Sequence, residues 1–287
     1  VEDLHQFRRG WGLGQASGTR VAGTEAVDFV HPRVMGIVNV TPDSFSGALA
    51  NPIATGLAMI EAGADMIDIG GESTRPGAAP VTPEEEQRRV LPVIEALADR
   101  GVPLSIDTRN AATMAAALDA GASIVNDVTG LGHDPDAAPL VAARGCFVVL
   151  MHMRGTPQTM ATLTAYGDVV AEVIAELTLR VEAAVAAGVT RGQIAIDPGI
   201  GFAKTAAQNL LLLQKLEAFR ALGLPILVGV SRKSFVGHYA GEPDAARRGP
   251  GSLAAALFAV AKGASILRVH DVAETIQALR MWQALAL

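Results

Sequence analysis

Eight short runs rich in β-branched residues recur along this chain, each followed by a stretch with helical signals, and that alternation limits the fold more than any other feature. The runs are Arg33–Val40, Asp65–Gly70, Val102–Asp107, Ser123–Val128, Phe147–Met153, Gln193–Asp197, Pro225–Val230 and Ser265–Val269. Strands that are apolar nearly throughout and separated by helices belong to a parallel sheet with covered faces. Eight such units over residues 33–287 predict a single α/β domain, a TIM-type (β/α)8 barrel. Residues 1–32 carry little periodicity, with a glycine-rich stretch from Gly10 to Gly23, and read as an N-terminal arm. A doubly wound open sheet is the alternative. Its phosphate fingerprint, G-x-G-x-x-G after the first strand, is absent, and Val38-Asn39-Val40-Thr41-Pro42 stands in that place.

Local signals agree with the alternation. Val170, Ile174, Leu177, Val181 and Val185 are spaced to share one helix face. Thr82-Pro83-Glu84-Glu85 reads as a helix start, with a cap, a proline at the first position and acids in the first turn. The phrases around Gly63, Gly121 and Gly263 each end a helix on glycine and step straight into a strand.

Composition excludes several classes. The net charge of −6 argues against a nucleic-acid surface, which needs a basic excess or stripe. Mean hydropathy is positive. Even so, no apolar run approaches the ~18 residues of a membrane span; Ser252–Ala261 is too short and stops at Lys262. The first nine residues lack a signal-peptide core, so a cytoplasmic protein is expected. One cysteine, Cys146, precludes an intrachain disulfide and reads as a buried packing residue.

In a barrel, polar residues where strands end are the functional candidates. Here the strand ends carry Asn39, Glu72-Ser73-Thr74-Arg75, Asp107, Asn126-Asp127, His152, Asp197, Ser231-Arg232-Lys233-Ser234, and Arg268 with His270-Asp271. Singly, each has a plainer explanation. Asp127 and Asp271 fit helix capping, His152 a satisfied core histidine, and Arg75 a solvated loop charge. Together they divide the mouth. Asp107, Asn126 and Asp197 suit a flat heterocycle with an N–H edge, because an ionised carboxylate accepts two hydrogen bonds. Lys233, Arg268 and His270 suit phosphate, and Asn39 offers an oxygen to Mg²⁺. The residues alone lead to a nitrogen heterocycle carrying a phosphate or diphosphate.

The ordered phrases also resemble the dihydropteroate synthase family from about residue 33 onward. They are Asn39-Val40-Thr41-Pro42-Asp43-Ser44-Phe45-Ser46, Gly70-Gly71-Glu72-Ser73-Thr74-Arg75-Pro76-Gly77, Ser105-Ile106-Asp107-Thr108, Asn126-Asp127, Leu150-Met151-His152-Met153, Asp197-Pro198-Gly199-Ile200-Gly201-Phe202, Ser231-Arg232-Lys233-Ser234 and Arg268-Val269-His270-Asp271. The resemblance implies a transferase of folate biosynthesis. It would join 6-hydroxymethyl-7,8-dihydropterin diphosphate to p-aminobenzoate, giving 7,8-dihydropteroate and diphosphate by a dissociative displacement. Carried over residue by residue, it implies that Asp107, Asn126 and Asp197 bind the pterin edge, with Lys233 near its carbonyl and ring nitrogen. Met151, Phe202 and Gly229 line the pterin slot. Asn39, Arg268 and His270 hold the diphosphate, Asn39 through Mg²⁺. Thr74, Arg75, Pro76, Phe45 and Ser234 form the p-aminobenzoate side. Asn39, Asp107, Lys233, Arg268 and His270 are the implied catalytic set. The resemblance further implies a homodimer and competition by sulfonamides.

One departure stands out. The family pattern continues after Phe45-Ser46 with Asp-Gly-Gly in a mobile loop; here Gly47-Ala48-Leu49-Ala50-Asn51-Pro52 follows. Either the loop is deleted, or residues are missing from the sequence at this point, which is the expectation because the other motifs stand intact. A pterin-dependent methyltransferase and a pterin-binding paralogue without synthase activity are the competing functions. The first has no use for Lys233, Arg268 and His270 as a diphosphate set.

Overall fold

The computed structural model describes residues 32–41, 51–75 and 77–286. The N-terminal arm expected at residues 1–32 lies outside this range except for Pro32, as do Phe45, Pro76 and the departing loop after Ser46.

Eight parallel strands form one sheet: β1 (Arg33–Asn39), β2 (Met66–Gly70), β3 (Leu104–Asp107), β4 (Ile124–Asp127), β5 (Phe147–Met151), β6 (Ile194–Asp197), β7 (Leu227–Val228) and β8 (Ile266–Val269). β1 pairs with both β2 and β8, in the registers Met35↔Met66 and Met35↔Arg268. The order runs β6-β5-β4-β3-β2-β1-β8-β7, and a parallel bridge, Ile196↔Ile226, joins its two ends. The barrel is therefore closed, though thinly at that seam. Strand 7 is shorter than its sequence run predicts. Strand 5 stops at Met151, and the His152 N–H makes the last bond of its ladder with β6, to the Asp197 carbonyl at 2.9 Å.

The helices cover the outside: α1 (Pro52–Glu61), α2 (Pro83–Leu97), α3 (Ala111–Asp119), α4 (Ala137–Arg144), α5 (Val169–Ala186), α6 (Ala206–Gln214), α7 (Ser234–Ala240), α8 (Gly249–Ala261) and α9 (Val272–Ala286). α2 starts as its sequence predicts, with Thr82 Oγ1 accepting from the Glu85 N–H at 3.4 Å. Gly63, Gly121 and Gly263 take φ of 98°, 114° and 103°, the left-handed turn that lets a helix drop directly into the next strand.

The face predicted for α5 is rotated. The buried set is Val169, Val173, Leu177, Val181 and Ala184, while Val185 is 40% exposed. This helix is apolar on more than one side, so spacing alone does not choose the stripe. The core of β1–β8 is continuous with these inner helix faces, and Phe219, Met35, Ile67 and Ile106 are among its largest fully buried side chains. Cys146 is buried, and burial pushes its thiol up to about 11, as suits a packing residue.

Candidate active site at the C-terminal mouth of the barrel

All eight strands run the same way, so their last residues share one rim. Asp107 ends β3, Asn126 is the next-to-last residue of β4, and Asp197 ends β6. All three are nearly buried, at 8%, 4% and 7% exposure. Burial pushes the Asp107 carboxyl up to about 7, with the Arg268 guanidinium pulling down and the Asp68 charge pushing up. Burial likewise raises Asp197, opposed by the Gly199 N–H at 2.7 Å from Oδ1 and by the Lys233 charge.

Asp68, in the middle of β2, belongs to this group and was not among the strand-end candidates. It is fully buried, and its Oδ2 accepts from Asn126 Nδ2 at 3.0 Å and from Arg268 Nε at 2.6 Å. The sequence did carry a signal: an aspartate inside the apolar run Met66–Gly70 is costly without a charged partner. Arg268 also donates from its terminal NH2 to Asp107 Oδ2 at 2.7 Å. Arg268 thus reaches across the mouth to the carboxylates on β2 and β3, rather than standing only with an anion group on strands 7 and 8.

Lys233 precedes α7 and lies with its Nζ 4.2 Å from the centre of the Phe202 ring. Burial, and then Arg268, lower its ammonium to about 8. Phe202 packs with Met151, Val128, Met160 and Ala203 in a small apolar cluster beside the polar group. Gly229 stands where a Cβ would meet Arg268 Cβ at 3.9 Å. Apolar side chains thus lie beside the buried polar group.

His270 sits after β8. Ser231 Oγ accepts from its backbone N–H at 3.2 Å and lies 3.0 Å from Nδ1. Burial, Arg232 and Arg268 depress the imidazole to about 3, so the ring is neutral near pH 7. Asn39 ends β1, half-buried, between β2 and β8. Thr74 shares a small cleft with Glu72, Asp107, Thr108, Arg109, Val128, Met153 and Pro157. Arg75 and Ser234 are exposed at the rim and are not drawn into the buried group.

Helix capping, expected for Asp127 and Asp271, is not what their side chains do: the helix after β4 begins at Ala137 with Asp136 before it, whereas the core role expected for His152 holds. Asp127 accepts from the Thr129 N–H and hydroxyl and from the Leu131 N–H, shaping its own turn. Asp271 pairs with Arg232. His152 is a satisfied core histidine, 3% exposed, between Glu176 and Lys204.

Buried carboxyl and amide groups with cations beside them thus share one rim, and comparison with known proteins decides the family. A family model described as pterin binding enzyme matches residues 35–270. The dihydropteroate synthase of Neisseria meningitidis serogroup C is 47% identical over 275 residues, covering 93% of this chain and 97% of that protein.

The chain belongs to the dihydropteroate synthases.

It is accordingly a transferase of folate biosynthesis. Among solved structures of the family, the Xanthomonas albilineans dihydropteroate synthase with 4-aminobenzoic acid superposes with a TM-score of 0.85 at 48% identity, covering 90% of this chain and 94% of that one. The Yersinia pestis dihydropteroate synthase in complex with a sulfonamide drug gives 0.85 at 44%, covering 91% and 96%. The (β/α)8 fold is that of this family. A methyltransferase or a silent paralogue is not needed to account for the chain.

Proposed function

We propose that the mouth condenses 6-hydroxymethyl-7,8-dihydropterin diphosphate with p-aminobenzoate, and that its residues divide the work as follows. Asp107, Asn126 and Asp197 hold the N–H edge of the pterin, Lys233 stands at its carbonyl and ring nitrogen, and Met151, Phe202 and Gly229 wall the slot. Arg268 and His270 take the diphosphate. Thr74, Arg75, Pro76, Phe45 and Ser234 form the p-aminobenzoate side. The observation that carries this reading is the convergence of buried Asp107, Asn126 and Asp197 with Lys233 and Arg268 at one rim.

The chemistry follows from charge. Loss of diphosphate leaves a cation at the exocyclic methylene, delocalised into the ring, and buried carboxylates at the ring's N–H edge favour that charge. The amine of p-aminobenzoate is nucleophilic without a strong base, so the site's task is alignment. Neutral His270 suits hydrogen bonding to a diphosphate oxygen better than proton abstraction.

Among the described residues no cluster of His, Cys, Asp or Glu gathers to cage a metal. The donor set fits Mg²⁺ in another way. This ion keeps several waters and binds through one or two protein oxygens plus substrate phosphates, and the Asn39 carboxamide supplies one such oxygen. Asn39 would hold it, and the ion would supply charge neutralisation of the diphosphate.

The wider reading is a cytoplasmic homodimer. A reduced, buried Cys146 and the lack, among the described residues, of a helix able to cross a membrane are compatible with that location. Light scattering tests the dimer.

The deciding assay mixes the protein with the dihydropterin diphosphate, Mg²⁺ and p-aminobenzoate and measures diphosphate release. Release that depends on p-aminobenzoate supports the reading; pterin binding without release overturns it. A sulfonamide should compete with p-aminobenzoate, raising its apparent KM without lowering the maximal rate; noncompetitive kinetics would remove the shared subsite.

A further inference from the structure

The turn after β6 carries Asp197 at its start and Phe202 near its end, and its backbone is strained at one residue, Ala203. Gly199, Gly201 and Ala203 take φ of 70°, 86° and 49°, three left-handed residues within five, one of them not glycine. Such a turn persists only where its surroundings over-determine it.

Lys204 supplies that determination. It is buried, 9% exposed, and its Nζ has three acceptors: the Gly199 carbonyl at 3.0 Å, the Phe202 carbonyl at 2.9 Å and His152 Nδ1 at 3.0 Å. In its charged form the amine has one N–H for each acceptor, and these bonds work against the burial that lowers it to about 7. Two of the acceptors sew the turn to itself, and the third ties it to the end of β5.

The third tie fixes the His152 tautomer. His152 Nε2 is 3.0 Å from Glu176 Oε2 on α5. Nε2 therefore carries the proton and donates to the carboxylate, leaving Nδ1 to accept from Lys204. Arg154 in turn donates to Glu176 and Glu172. Asn209 on α6 closes the other side of the turn, with Oδ1 accepting from the Gly201 N–H at 2.7 Å.

We propose that Lys204, oriented by His152, is a positioning residue for the pterin slot: it holds the Gly199–Phe202 turn so that Phe202 meets Lys233 and Asp197 faces the ring edge. This rests on the assignment of Asp197 and Phe202 to the pterin site. Lys204 touches no reacting atom; it acts through the backbone it binds. The cost of removing it falls on pterin recognition and leaves the p-aminobenzoate side alone.

The test compares wild type with Lys204→Met, His152→Leu, His152→Gln and Asp197→Asn, at a temperature well below every melting midpoint. Binding of 6-hydroxymethylpterin is read by calorimetry, and KM for each substrate by diphosphate release. Lys204→Met and His152→Leu should weaken pterin binding by about tenfold or more, the scale of one lost hydrogen bond to a charged group. KM for p-aminobenzoate should stay within twofold. His152→Gln should recover most of the affinity, since its amide can accept from Lys204 and donate to Glu176.

A folded Lys204→Met or His152→Leu protein with wild-type pterin affinity overturns the proposal, as does an equal loss on both substrates. If Lys204→Met does not fold, the two His152 variants decide alone: equal pterin affinities refute it, and a split between them supports it. Wild-type affinity in Asp197→Asn refutes the assignment of the pterin site instead, so the two failures are distinguishable.

Discussion

Ser231 shows how one hydroxyl can set the chemistry of a neighbour. Its oxygen accepts from the His270 N–H and keeps a proton free for His270 Nδ1 at 3.0 Å. With that proton donated, the neutral ring carries its own on Nε2, where it can donate. Ser231→Ala removes that bias, and kcat/KM for the pterin diphosphate should fall about fivefold to tenfold, the worth of one hydrogen bond of ~1 kcal/mol. An unchanged kcat/KM would dismiss the tautomer assignment. Asp68 calls for a larger effect. It is fully buried and holds both Arg268 and Asn126, so Asp68→Asn leaves the guanidinium with one carboxylate and loosens the amide. A loss of about 3 kcal/mol of stability is expected from breaking such a pair, measured by urea unfolding. Asp68 and Lys204 mark the limit of a strand-end search. Asp107, Asn126 and Asp197 were legible because parallel strands bring their last residues to one rim. Asp68 sits two residues inside its strand, and Lys204 looks in sequence like a solvated loop charge between Ala203 and Thr205. Only the folded neighbours reveal that both are buried.

Elements were legible where their signals are local. Thr82 and Pro83 begin α2 as their chemistry demands, and the Gly63, Gly121 and Gly263 turns need only a residue tolerant of positive φ. The rotated face of α5 and the shortened β7 were not, because which side of a broadly apolar helix packs, and how far a strand stays paired, depend on partners distant in sequence. The turn between β6 and α6 is the sharpest element-scale test. A Cβ on Gly199 would lie 1.9 Å from the His152 carbonyl oxygen, and φ there is 70°. Backbone cannot yield as a flexible side chain does. Gly199→Ala should therefore lose several degrees of melting temperature and most pterin binding, read by calorimetry; a silent substitution would mean the turn is not as described.

His152 gives this same region a pH signature. Burial, and then the Lys204 charge, hold its imidazole at about 4, against the pull of Glu176. The folded state disfavours the charged ring, so this contribution is whole above the ordinary value of 6.5 and is lost as pH falls from there toward 4. Arg154 and Lys204 face the site as cations and Glu176 as the anion. Wild-type melting temperature should drop between pH 7 and 5 more steeply than that of His152→Gln, which has nothing to titrate there. Parallel curves would place the acid sensitivity elsewhere.

At the scale of the whole molecule the barrel is uneven. β1 and β2 share five paired positions and β5 and β6 share four, whereas β6 meets β7 through the Ile196↔Ile226 bridge, with the Ile196 N–H donating to the Pro225 carbonyl at 2.9 Å. A barrel opens first where fewest hydrogen bonds and packed contacts resist. The site straddles that seam: Asp197 follows Ile196 on one side, and Gly229 and Lys233 follow β7 on the other. A pterin held by both sides would act as an added cross-link, stabilising the closed barrel in proportion to its occupancy. Amide hydrogen exchange on the free protein should be faster in peptides covering residues 194–198 and 225–230 than in β1 and β2. Saturating 6-hydroxymethylpterin should slow the seam peptides most. Equal protection of β1 and β2 would mean that the ligand stiffens the barrel as a whole, and that its weakest joint is not where it binds.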